Sequence, residues 1–562
     1  MNRAPRRSCF SAAGALAAAG MLCLSLSAAA VPPTLDSLFP AGGRRGSTVA
    51  ITASGKLETW PVKVWTDSPG LKIEAGDKSP KLTAHIAPDT PAGPHLVRIY
   101  TTDGASALHC FMVGDQEELA EAEPNDEPVK AQPIEKFPVT LNGRLEKSGD
   151  VDCYAIKLIA GQTLVATLQG RRIGSPIDPM LHLLDEHGTQ VAFAQDGLGL
   201  DPLLVYRALK AGKFTLNVSA FAFPPAADVR FTGNKDAVYR LNLTTGPYVR
   251  AASPSGVTRG RKSTLRPLGW NLDSKPIIAD ATNLPPGTDD LLIPVPGGDG
   301  PLQINVTDGE EIEEPTDPAQ PPVTLPVSVT GVISAPGEED HLQFTAKKGQ
   351  RLELLVHANS INSPLDAFLR IRDDAGKLMD ENHGNAGADP RLNWSAPKDG
   401  VYRATVYDLF HKGGPDYRYR LEIHPPRPLL LATILDDPYA LVPGKTVTIK
   451  VNVARKNDHK TPMVAVATAL PPGVTATSAE VPGGGGGEVS LILSATKDAK
   501  PASQPIRILL LSTDPAHPEL LPATIDLHKD ADKPAGQSYI ERSSEVWLTL
   551  SPTADSTPPK KD

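Results

Sequence analysis

The stretch SPIDPMLHLLDEHGTQVAF, residues 175–193, returns 188 positions later as SPLDAFLRIRDDAGKLMDE, residues 363–381. Each copy opens on Ser-Pro-Ile/Leu-Asp, alternates apolar and polar residues, turns at a glycine and alternates again. A period of two puts successive side chains on opposite faces of a strand. Two such runs around a glycine-bearing turn predict a hairpin with one buried face. The same offset aligns Gly143 with Gly331, Asp152 with Asp340, Gly161-Gln162 with Gly349-Gln350 and Asp201-Pro202 with Asp389-Pro390. It also aligns Tyr206 with Trp394 and Gly212 with Gly400, without a gap across residues 143–212. A register held that long marks an internal duplication. In the shared Ser-Pro-x-Asp, Asp178 and Asp366 read as turn residues that cap their own backbone.

A second duplication precedes each copy. FPAGGRRGSTVAITASGKL from Phe39 matches SPSGVTRGRKSTLRPLGWNL from Ser253 at an offset of 214, pairing Gly42 with Gly256 and Gly55 with Gly269. The chain therefore reads as a small β module and a larger one, then both again. A further run of alternating strands after Pro425 includes LVPGKTVTIKVNVAR and GEVSLILSATKD and ends in SSEVWLTL. Within it Gly483–Gly487 lacks the Lys-Ser/Thr of a phosphate loop and reads as a hairpin loop.

Composition agrees. A chain of 562 residues exceeds one core. Its 56 prolines disfavour helix interiors, and no segment carries a long helical period with caps. The predicted class is all-β, tandem β-sandwich modules. The divisions are a signal peptide at 1–30, an immunoglobulin-like module at 31–114 and a large sandwich at 115–248. There follow a shortened small module at 249–312, a second large sandwich at 313–425, an immunoglobulin-like sandwich at 426–551 and a tail at 552–562.

The leader rests on Arg3, Arg6 and Arg7, an apolar run, and small residues at Ala28 and Ala30 before Val31. Its removal takes the formal net charge from −9 to −12. No later apolar run reaches membrane-spanning length. The acidic chain with dispersed basic residues argues against a nucleic-acid partner. The expected location is secreted, periplasmic or cell-surface. Two cysteines remain, Cys110 and Cys153. They read as buried small hydrophobes in preference to a disulfide, and neither has the C-x-x-C spacing of a zinc or redox site.

The series EAEPND, GRLEKSGDVDCYAIKLIAGQTL, SPIDPMLHLLDEHG and AGKFTLNV resembles the bacterial pre-peptidase C-terminal (PPC) domain, a jelly-roll-like sandwich appended to secreted peptidases and frequent in planctomycete-type secreted proteins. The resemblance covers about 117–247 and, more weakly, 311–425. The small modules resemble IPT/TIG immunoglobulin-like domains. The PPC resemblance implies calcium ligands at Glu121, Glu123, Asn125, Asp126, Asp150 and Asp152. A weaker counterpart comprises Glu314, Asp317, Glu338 and Asp340. The residues support this reading independently. Calcium takes about six to eight oxygens, and EAEPND supplies four side-chain donors in six residues. Alternation places Glu121, Glu123 and Asn125 on one face, and likewise Asp150 and Asp152. Clustered carboxylates without a cation repel one another. The competing reading is a solvated acidic linker.

Catalytic motifs are missing: no G-x-S-x-G, H-E-x-x-H or G-x-x-x-x-G-K-[ST] occurs. His109, His182 and His187 read as packed or surface residues. The expectation is a non-catalytic binding or scaffolding protein whose partner is an extracellular protein, a polysaccharide or a secreted hydrolase. The alternatives are an accessory substrate-binding subunit of a secreted peptidase or other hydrolase, a structural component of the envelope, and a cryptic hydrolase.

Overall fold

The computed structural model describes residues 31–551, apart from 226, 228–229, 274, 285–287, 298–299, 316–319, 385–387 and 528–537. The expected leader, the expected tail and Asp317 lie outside the described residues. The rest is all-β, ten sheets that pair into sandwiches. The regular helices among the described residues are three single 3₁₀ turns.

The two large sandwiches share nine strands in the same order, and the first adds Gln132–Pro133 and Gly197–Leu198 at its sheet edges. In the first, one sheet runs Asp201–Arg207, Thr163–Gln169, Val238–Thr244, Val139–Arg144, Glu117–Ala120. The second has Arg391–Ser395, Arg351–His357, Arg418–His424, Val327–Val332, Glu310–Glu313 in the same order. The facing sheets also correspond. Asp152–Leu158, Gly212–Ala222, Ile177–Leu184 and Gln190–Ala194 match Glu339–Ala346, Gly400–Asp408, Ala367–Asp373 and Leu378–Asn382. Alternation supplies each core. Leu164, Ala166 and Leu168 of one strand meet Tyr154, Ile156 and Leu158 of the facing sheet, and all are buried. Leu352, Leu354 and Val356 fill the same place in the second copy. The strand Glu310–Glu313, which the division at 312/313 cuts, pairs in full with Val327–Val332.

The hairpins expected around Gly188 and Gly376 form in both copies. Gly188 (φ 78°) and Gly376 (φ 79°) take left-handed turns. Asp185 Oδ1 accepts from the N–H groups of His187 and Thr189, and Asp373 Oδ1 from those of Ala375 and Lys377. Asp178 and Asp366 do not cap turns. Asp178 lies within a strand, opposite Phe221, because ladder pairing takes the backbone that an Asx turn would use. Asp366 donates its own N–H to Asp408 Oδ2. The caps come from the other aligned pair. Asp201 accepts from the N–H groups of Gly170, Arg171 and Arg172, and Asp389 from those of Ala358, Asn359 and Ser360.

Each small module packs a glycine onto a buried ion pair of its large neighbour. Arg240 binds Glu118 with both ends of its guanidinium, at 2.8 and 3.0 Å. Arg420 binds Glu311 at 2.8 Å. Both arginines press on a glycine of the small module. A Cβ at Gly42 would lie 2.3 Å from Arg240 Nη1, and one at Gly256 would lie 2.5 Å from Arg420 Nε. The repeated unit is thus a two-module block with its junction built in.

The last sandwich is not duplicated. Gly483–Gly487 does not close a hairpin. It carries the chain from Ala479–Val481 in one sheet to Gly487–Ala495 in the other, because those strands pair with different partners. The module folds back onto the first. Arg98, fully buried, meets Asp437 at 2.5 Å, and Trp547 packs on Trp65 and Tyr100.

Candidate metal centre

The acidic run follows the edge strand Glu117–Ala120 and stays tied to both sheets. Glu121 N–H donates to Asn142 O, and Asn125 O accepts from Cys153 N–H. This brings the run against the start of Asp152–Leu158. All six residues predicted from the sequence converge, five of them as two overlapping triads and Asn125 between Glu123 and Asp152. Glu121, Glu123 and Asp152 offer oxygens within 4.8 Å of one another, and so do Glu123, Asp126 and Asp150. Asn125 and Asp152 are fully buried, and Asp150 nearly so. The Asn125 amide sits 3.3 Å from Glu123 Oε1 and 3.2 Å from Asp152 Oδ1. Turned with its nitrogen inward it donates to both. Turned with its oxygen inward it adds a third oxygen beside theirs. Asp126 Oδ1 and Asp150 Oδ1 are buried without a hydrogen-bond partner. Exposed Lys147 reaches Asp126 Oδ2 at 2.7 Å and lies 3.7 Å from Asp150 Oδ1.

The electrostatics follow from burial. Desolvation, reinforced by the charge on Asp152, pushes Glu121 up to about 9. Desolvation also pushes Asp152 up to about 7 against a lowering hydrogen bond from Tyr239. Glu123 and Asp150 are raised, first by burial. Asp126 alone is lowered, by its hydrogen bond with Lys147. Such a set needs protons or a cation to offset the loss of water.

Sequence reading missed the tyrosines. Tyr239 Oη donates to Asp152 Oδ2 at 2.5 Å and lies 2.6 Å from Tyr154 Oη. Its ring crosses Gly143, where a Cβ would be 2.1 Å from Cζ. The second copy repeats the device. Tyr419 covers Gly331, where a Cβ would be 2.3 Å from Cζ, and reaches Glu314 Oε2 at 3.5 Å. Glu314 accepts from Val332 N–H as Glu121 accepts from Arg144 N–H. Burial and a hydrogen bond with Glu314 push Asp340 up to about 8. Glu338 is engaged elsewhere: its carboxylate accepts from Ser334 Oγ and Ala335 N–H. Of the four residues of the weaker site, the structure brings together Glu314 and Asp340.

Cys110 and Cys153 are both buried free thiols, each pushed up to about 12 by desolvation. Among the described residues a Ser-His-Glu grouping occurs, with Ser360 Oγ 3.3 Å from His357 Nδ1 and Glu422 Oε1 3.0 Å from Nε2. Its serine donates to Asp389 Oδ2 at 2.5 Å, so its single proton is committed away from the imidazole.

No family model matches the chain. A probable subtilase-type serine protease of Deinococcus radiodurans is 30% identical over 113 residues, which span 18% of this chain and 16% of that protein. The chain thus covers less than a fifth of that relative. Among solved structures, Escherichia coli alpha-2-macroglobulin activated by porcine elastase is 11% identical, covering 87% of this chain and 53% of that one, at a TM-score of 0.14. The surface layer protein SbsC, domains 1–6, is 8% identical, covering 88% and 54%, also at 0.14. At these TM-scores neither fold nor function follows from the likeness. Among the described residues no helix is long and apolar enough to cross a membrane.

Proposed function

We propose that the protein is a secreted, non-catalytic scaffold or binding protein of the envelope or extracellular space, stabilised by calcium in its first large sandwich. The observation that carries the calcium reading is the buried Asn125 amide set between Glu123 and Asp152, beside two carboxylate oxygens that have no hydrogen-bond partner. Glu121, Glu123, Asn125, Asp126, Asp150 and Asp152 would hold the ion, whose charge would offset the repulsion that Lys147 relieves only at Asp126 and Asp150. An all-oxygen, carboxylate-rich donor set suits calcium. The ion would tie the segment after Glu117–Ala120 to the sandwich. That strand carries Glu118, the anchor of the small module's junction, so binding there stiffens the two-module block.

Calorimetric melting of the full chain tests the reading. Calcium at about 1 mM should raise the transition of the first large sandwich, and a chelator should reverse the shift. No shift, or an equal shift in the Asp150→Ala/Asp152→Ala variant, would remove calcium from the proposal. The second reading is an accessory part of a secreted peptidase. It is favoured by the partial match to a probable subtilase-type protease, and co-purification of a peptidase with the chain would establish it.

A further inference from the structure

The modules line a half-open cavity of about 760 Å³. Its walls come from every part of the chain: Pro94 of the first small module, Arg172 of the first large one, Leu302 of the second small one, Ile361 and Arg418 of the second large one, and Tyr539 of the last. The volume falls in the range of small-molecule sites, about 300–1,000 Å³. Much of the lining is apolar, but its charge is one-sided. Arg172, Arg250 and Arg418 line it, with Asp290 as the one carboxylate in its wall among the described residues. Asp290 already accepts from Asn305 Nδ2 at 3.1 Å.

Two of the arginines are under-used. Arg418 is 7% exposed, and its Nη2 is buried without a hydrogen-bond partner. Arg250 donates from Nη2 to Asn362 O at 2.8 Å and lies 3.3 Å from Asp416, but its Nε is also buried without a partner. Burial, and then the like charge on Arg250, lowers Arg418 from its ordinary value, so the two guanidinium groups stand close enough to repel. Buried donors of this kind are costly unless an acceptor completes them. The planar guanidinium matches the paired oxygens of carboxylate or phosphate.

We propose that this central cavity is a binding site for a small oxyanion, a carboxylate or phosphate on a compact apolar body, gripped by Arg418 and Arg250. The apolar wall around Leu302 and Ile361 receives the body. Because the wall draws on all five sandwiches, an occupant bridges them and favours the closed arrangement in which the last module lies on the first.

Titration calorimetry of the full chain at constant ionic strength tests this, with benzoate and inorganic phosphate as probes and chloride as the control. Saturable binding of at least one probe below about 10 mM is expected. Arg418→Met should weaken that binding at least tenfold. If that variant does not fold, Arg250→Met serves with the same expectation. Leu292→Trp, at a wall position 60% exposed, should weaken benzoate and spare phosphate. Benzoate binding alone assigns a carboxylate with an apolar body, and phosphate binding alone assigns the free anion. Failure of both probes to bind, or affinity unchanged in the arginine variants, overturns the proposal. Calcium plays no part in the measurement, so the outcome is independent of the metal centre.

Discussion

The acidic corners of the two large sandwiches differ in a useful way. Both hold a Glu–Asp pair under a tyrosine that crosses a glycine: Glu121, Asp152, Tyr239 and Gly143 in one, Glu314, Asp340, Tyr419 and Gly331 in the other. What both copies share is the device by which this sandwich seats its edge strand. What the first adds is chemistry. Asn125 is wedged between carboxylates, and Asp150 turns an unpartnered oxygen into the same space. In the second, Glu338 caps its own loop and the oxygen left without a partner is on Asp340. Duplication thus separates the architectural carboxylates from those that a cation would need.

The sharpest break in the comparison lies at the module junctions. Glu118→Ala strands Arg240, 3% exposed, with Asn142 Oδ1 as its remaining side-chain partner. A loss of about 3–5 kcal/mol is expected on denaturant unfolding. Glu311→Ala should cost less, because Arg420 keeps Glu422. Equal losses would show that Glu422 does not support Arg420. Calcium comes next: at about a hundred times its dissociation constant it should add about 2.7 kcal/mol to the first large sandwich. The second should gain nothing, as read by segment-resolved hydrogen exchange over 121–126 against 310–315. Equal protection in both would erase the distinction between the corners.

Gly143→Ala and Gly331→Ala follow, each expected to cost about 1–3 kcal/mol by forcing the tyrosine off its seat. Similar melting shifts in the two variants would confirm that the device is shared. The smallest effect concerns pH. Asp340 is raised to about 8 in the folded chain, above its ordinary value of 3.8, so its protonated form stabilises the fold. That contribution is complete below about pH 4 and is lost as pH rises through 8. The second large sandwich should therefore melt lower at pH 9 than at pH 5, and Asp340→Asn should flatten this slope. In the first sandwich, calcium should flatten the corresponding slope, because it favours the ionised carboxylates.

Much of this was legible because it is local or repeated. Alternation placed the strands, and the glycine turns at 188 and 376 stand where the hairpins required them. The spacing within EAEPND and GDVD identified six residues that do converge, five carboxylates and the Asn125 amide between two of them. The offset of 188 holds across residues 143–212, and the missed residues lie outside that span on either side. YRLNL from Tyr239 and YRLEI from Tyr419 correspond at an offset of 180, and Glu118 and Glu311 at 193. Following the repeat across its gaps would have found the tyrosines and the junction arginines together. Asp178 misled because Ser-Pro-x-Asp is also a turn signature, and ladder pairing decided otherwise.

The sequence by itself determined the all-β class, the doubled two-module block and the membership of the acidic corner. These depend on a two-residue period and on residues near one another along the chain. Only the tertiary structure decided that Gly42 and Gly256 are seats for arginines more than 160 positions away, and that Trp547 closes the array against Trp65. It alone brought Pro94, Arg418 and Tyr539 around one cavity. The physical reason is that such contacts are fixed by how finished sandwiches pack against each other. No local period along the chain encodes that packing.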